Sequence, residues 1–175
     1  MIKNQQKGFT IVELLIVVVV IGILAAIVIV AYNGIQNSAN EAAVKSDLAQ
    51  FAKNLEIYKT KNGAYPSSRS HLENANVKIT RGSYVTNRNN VYYYIENVSQ
   101  HYALGVIAAS GSQYYLVDGN VSDASGVGYS GTRDEVETLA DQDGLDTSEM
   151  NITSAGAGYD DPNDGSGDGW QDWTE

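Results

Sequence analysis

No cysteine occurs anywhere in the 175 residues, so neither a disulfide framework nor a thiolate metal site is open to this chain. Histidine is almost as scarce, and His71 and His101 stand without metal-ligand spacing around them. Nucleophile motifs, phosphate-binding glycine loops and internal repeats are lacking too, which leaves no enzymatic reading. Positive charge is short exactly where negative charge is dense. From Asp118 to Glu175 there are 15 acidic residues and one basic residue, Arg133, a balance of −14 within a net charge of −10. From Tyr32 to Val117 the balance is +3. The C-terminal third therefore cannot displace counterions from nucleic acid, and nucleic acid is not an expected partner. Cations suit it better.

What the sequence does have is one long apolar run. Phe9 to Ala31 extends for 23 residues with a single charge, Glu13. As a helix rising about 1.5 Å per residue it reaches roughly 34 Å, enough to cross a ~30 Å hydrocarbon core. Lys3 and Lys7 precede it, favouring a cytoplasmic N-terminus by the positive-inside rule. A secretory signal is one reading, because Leu14 to Leu24 is followed by Ala25 and Ala26. An uncleaved anchor is another. Glu13 argues against both, since an acidic group in a membrane helix costs ~2.5–3.5 kcal/mol near the centre and usually marks a function.

The junction Lys7-Gly8-Phe9-Thr10-Ile11-Val12-Glu13-Leu14-Leu15 resembles the class III leader of type IV pilins and type II secretion pseudopilins. The likeness continues through Gly22-Ile23-Leu24-Ala25-Ala26-Ile27 and Ala31-Tyr32. It implies cleavage between Gly8 and Phe9 by a prepilin peptidase and N-methylation of the new terminal Phe9. It also implies that Glu13 meets the terminal amine of a neighbouring subunit, so that two opposite charges satisfy each other in an apolar bundle. The implied partners are further copies of the chain, other pilins, a membrane platform protein and an assembly ATPase. The implied route starts in the inner membrane as a single-pass protein and ends in an extracellular or cell-surface filament. Pilins of this family often carry proline just before the Ala-Tyr pair, where this chain has Val30. A helix unbroken from about Phe9 to Lys61 is therefore expected.

Beyond Tyr32 the pattern turns amphipathic. Val44, Leu48, Phe51, Leu55 and Tyr58 form one helical stripe, expected to seam against a sheet, with Glu41 and Lys45 paired on the solvated side. Asn62-Gly63 stops the helix and Pro66 follows. A loop-rich stretch comes next, with a short strand expected at Ser83 to Thr86. Strands are predicted at Val91 to Val98, Tyr102 to Ala109 and Gln113 to Asp118, in an antiparallel meander whose tyrosines keep wet hydroxyls. Gly119 to Gly131 reads as a loop, and Thr132-Arg133-Asp134-Glu135 opens a short helix.

The expected fold is α+β: a long N-terminal helix, half transmembrane and half amphipathic, on a small antiparallel sheet, with an acidic Gly/Asp-rich C-terminal region. The segments are 1–8 leader, 9–31 membrane or filament-core helix, 32–62 amphipathic helix, 63–131 loop and sheet, and 132–175 acidic region. Hard oxygens cluster around glycines at Asp141, Asp143 and Asp146 and again at Asp160, Asp161, Asp164 and Asp168. These suit calcium, although neither group has EF-hand spacing; a solvated acidic tail is the competing reading. The leading functional reading is a structural subunit of a type IV pilus-like filament. Its alternatives are a pseudopilin of a type II secretion or DNA-uptake system and a membrane-anchored, calcium-dependent binding module that never polymerises. Mass spectrometry of the protein from its native membrane should find residues 1–8 removed and Phe9 methylated; a terminus after Ala25 or Ala26 would instead identify a secretory signal.

Overall fold

The computed structural model describes residues 9–86, 90–96, 100–124, 133–142 and 155–157. The elements are α1 (Ile11–Asn62), α2 (Arg69–Asn74), a 3-10 turn (Arg81–Ser83), β1 (Asn90–Glu96), β2 (His101–Ile107), β3 (Gln113–Val117), β4 (Asn120–Asp123), α3 (Arg133–Gln142) and β5 (Ala155–Ala157). Two compact units divide the chain, Met1–Asn37 and Ser38–Glu175.

In the first unit every described residue is exposed, including the large apolar side chains from Phe9 to Ile35. A helix that is apolar all round has no polar face to turn to water, and belongs among lipid tails or other helices. This part of α1 is long and apolar enough to cross a membrane. As expected from Val30, α1 is assigned helical through that position and on to Asn62. Gly63, at φ +83°, donates its N–H to the carbonyl of Lys59 and closes the helix in the left-handed conformation that glycine adopts without strain.

The second unit is built in three layers. Its sheet has the order β4-β3-β2-β1-β5, antiparallel throughout. Alternate residues sort cleanly between its faces, as the period-2 pleat requires. Tyr93, Ile95, Tyr102, Leu104, Val106, Tyr114 and Leu116 pack with Val44, Leu48, Phe51 and Leu55 of α1. Tyr94, Ala103, Ile107 and Val117 pack on the opposite side with Val136, Leu139 and Ala140 of α3. Both faces being covered, the central strands read as nearly continuous apolar runs rather than alternating ones.

Several expectations are corrected here. No strand forms over Ser83 to Thr86: the segment holds the 3-10 turn and a single bridge, Tyr84 to Ala108. The loop expected over Gly119 to Gly131 begins instead with β4, because Asp118 (φ +46°) and Gly119 (φ +89°) make a tight hairpin of the Asp-Gly type. The stretch after Pro66 contains α2, capped by Ser68 Oγ accepting from the His71 N–H at 3.3 Å. Glu41 is not left to solvent, since its Oε1 accepts from Ser112 Oγ at 2.6 Å, while Lys45 lies 4.9 Å from the Tyr114 ring centroid. That hydroxyl is the main reason the Glu41 carboxyl sits below its ordinary value, with Lys45 a smaller contribution. Nor are the core tyrosine hydroxyls wet. Tyr93 is fully buried, against Phe51 and Tyr102, and burial pushes its phenol well up.

One buried polar side chain orders the start of β1. Val91 has φ +57°, strained for a β-branched residue, and the register against β5 slips between Asn90 and Tyr92. The fully buried Asn90 amide fills the gap. Its Oδ1 accepts from the N–H of Ile107 (2.8 Å) and of Val91 (2.9 Å), and its Nδ2 donates to the carbonyls of Ile107 (2.7 Å) and Val85 (3.1 Å). Removing it leaves buried backbone groups unpaired. Asn90→Ala should cost about 2–4 kcal/mol in denaturant unfolding of the second unit. Asn90→Asp should cost more, because its charge faces two carbonyl oxygens. A change under about 0.5 kcal/mol in either variant would contradict the role given to Asn90.

Candidate assembly site at the start of the first helix

Glu13 is the sole charged residue on α1 before Glu41, and it falls in the first turn. Its surroundings follow from four residues of sequence. Thr10 stands at the N-cap and Glu13 at the third helical position, the spacing of a capping box. Glu13 N–H donates to Thr10 Oγ1 at 3.2 Å, and in return Glu13 Oε2 accepts from Thr10 N–H at 2.8 Å and from Thr10 Oγ1 at 2.7 Å. Both bonds to the carboxylate end on Oε2, leaving Oε1 without a donor among the described residues. The helix N-terminus adds partial positive charge, favourable to an anion there. Phe9 is 82% exposed one residue upstream.

The carboxylate is thus held in place within its own chain, with one oxygen still open. That division matters chemically. An anion among apolar side chains is tolerated when hydrogen bonds satisfy it, and an open oxygen can take a cation from another chain without dismantling the cap. Thr10 was not singled out from the sequence, yet the Thr-x-x-Glu spacing was there to be read, as it was at Thr132 to Glu135. That second box includes Thr132, outside the described residues, although the helix it was expected to open is present as α3.

Of the residues expected to process or assemble the chain, Phe9 and Glu13 are described and share the start of α1, whereas Gly8 lies outside the described residues. Of the seven aspartates considered for calcium, Asp141 alone is described: it is exposed in the last turn of α3. Asp143, Asp146, Asp160, Asp161, Asp164 and Asp168 lie outside the described residues. Among the described residues no three carboxylate or imidazole groups gather where an ion would sit.

A membrane-length apolar helix leading into an α+β unit fits a membrane-anchored, pilin-like subunit. Comparison with known proteins agrees: a family model for the prokaryotic N-terminal methylation motif matches residues 3–29. Type II secretion system core protein G of Pseudomonas aeruginosa is 41% identical over 71 residues, 41% of this chain and 50% of the relative. The proteins of the same name from Escherichia coli and Vibrio cholerae are each 34% identical over 70 residues, 40% of this chain and 48% of each relative. The chain spans about half the length of the curated relatives it matches. No solved structure matches. In its N-terminal part the chain carries the prokaryotic N-terminal methylation motif and is similar to type II secretion system core protein G.

The capping box generates its own test. Thr10→Ala removes both the cap oxygen and the hydroxyl donor, and should cost about 1 kcal/mol locally. Amide exchange at Glu13 and Leu14, whose N–H groups bond to Thr10, should accelerate about fivefold while unfolding of the second unit is unchanged. Unaltered exchange would show that the cap does not hold the helix start.

Proposed function

We propose that this chain is a structural subunit of a type IV pilin-like filament, assembled through the apolar half of α1 after prepilin peptidase removes residues 1–8. The observation that carries this is Glu13: a single carboxylate, with one open oxygen, at the head of a helix whose first part, through Ala31, is otherwise apolar and exposed on every side. A tether needs length and hydrophobicity only. An anion one turn from the processed terminus adds a specific demand for a cation, and the α-amine of Phe9 in an adjacent copy supplies it. Helix packing then gives adhesion, and the charge pair gives register. The names of the relatives favour a secretion-system pseudopilin over other filaments. The route from inner membrane to cell-surface filament follows from this reading.

Three variants separate the two duties of Glu13. Glu13→Gln keeps a side chain able to close the capping box but has no charge, so filament yield should fall at least about tenfold with helix exchange unchanged. Glu13→Ala should lose both. Thr10→Ala should lose the cap and still assemble. Membrane insertion and cleavage should survive in all three. Normal filament yield from Glu13→Gln, measured by shearing and immunoblotting, would overturn the charge-pairing role.

A further inference from the structure

Where the last turn of α1 meets the end of α2, the surface opens into a cleft of about 440 Å³ lined by Asn54, Ile57, Tyr58, Lys61, Asn62, Asn74, Ala75 and Asn76. Four carboxamides face one space, with no carboxylate among the lining residues. Beyond Ile35, Ile57 is the single large apolar side chain that stands exposed among the described residues, at 43%. An isolated exposed isoleucine is ordinary on a surface; one set among amides inside a concavity is a mixed lining of the kind small-molecule sites use.

The lining is also fixed in place. Asn54 Nδ2 donates to the Asn76 carbonyl at 2.7 Å and Asn54 Oδ1 accepts from Gln50 Nε2 at 3.1 Å. Asn62 Nδ2 donates to the Tyr58 carbonyl at 2.9 Å, and the Tyr58 ring lies 6.0 Å from that of His71. Asn76 holds φ +52°, a left-handed turn that asparagine tolerates, and so ends the α2 segment against α1. The side-chain amides of Asn74 and Asn76 have no assigned partner among the described residues.

Charge narrows what this cleft can hold. The partial negative charge at the carbonyl end of α1 is offset by Lys61 in the lining, so the cleft favours neither a cation nor an anion strongly. A neutral ligand remains, one that donates and accepts hydrogen bonds side by side and carries an apolar face. Carboxamides present a donor and an acceptor a short distance apart, matching adjacent hydroxyls, and Ile57 and Tyr58 offer a surface for the C–H face of a sugar ring. We propose that this cleft is a binding site for neutral carbohydrate, a disaccharide unit at most, on the face formed by Asn54, Ile57, Asn62 and Asn74.

The test is NMR of the ¹⁵N-labelled full chain in phosphatidylcholine bicelles, titrated with cellobiose, with di-N-acetylchitobiose, and with N-acetylneuraminic acid as the anionic control. The expected result is saturable shifts of the Asn54, Asn62 and Asn74 side-chain amides with at least one neutral sugar, at a dissociation constant of about 1 mM or below, and none with the acid. Asn74→Ala and Ile57→Ser both change exposed residues; each should weaken binding about tenfold or more with the unfolding midpoint unmoved. The proposal is overturned by the absence of saturable shifts up to about 50 mM of both neutral sugars. It is equally overturned by shifts that neither variant reduces, or by equal binding of the acid.

Discussion

Everything in this molecule hangs on the unpartnered first half of α1. Side chains from Phe9 to Ile35 are exposed all round, and burying each large one is worth about 1.5–3 kcal/mol. Water cannot be their final environment. In the proposed filament, lipid would satisfy them before assembly and copies of the same helix afterwards, with little hydrophobic difference between the two. Because apolar packing scarcely distinguishes one sliding register from another, a directional interaction is needed to choose. Glu13 is the one charged group on that surface able to provide it.

The second unit solves a different problem with the same helix. From Val44 onward α1 has a single apolar stripe, so it buries one side and leaves the other in water. The sheet it covers is apolar on its other face as well, and α3 covers that. A small sheet enclosed on both faces needs few side-chain polar groups inside it. The Asn90 amide is one of them, completing a ladder that the Val91 kink interrupts. Anchored at Asp47, whose carboxylate accepts from Thr80 N–H at 2.6 Å and Tyr84 hydroxyl at 3.1 Å, the loop before β1 is tied back to α1.

The α+β class, the unbroken helix, its buried stripe and the three central strands were legible because each has a strong period: all-apolar, three-to-four, or two. The Phe9–Glu13 junction was legible because an acidic residue within an apolar run is costly and therefore conspicuous. Other features depended on weaker signals. α2 is too short for a periodic pattern and announces itself only by Ser68 as a cap. β4 has four residues, and the signal for it was the Asp118-Gly119 turn rather than the strand. β5, Ala155–Ala157, lies in a Gly-rich acidic stretch that reads as tail, and its strand character comes from pairing with β1 alone. The amide clamp of Asn90 and the clustering of asparagines at the α1–α2 cleft are contacts between distant positions, invisible to local pattern.

The central claim is that the Glu13 carboxylate meets the α-amine of Phe9 on a neighbouring copy. Solid-state NMR on filaments grown from an equal mixture of two preparations tests it directly, one labelled with ¹³C at the glutamate side-chain carboxyl and the other with ¹⁵N at phenylalanine. Only contacts between different copies can then give carbon–nitrogen dephasing. The account predicts dephasing that corresponds to a carboxyl-to-amine separation of about 4 Å or less, lost in filaments of Glu13→Gln if any form. Mixed filaments that form normally and show no dephasing at the carboxyl carbon would contradict it.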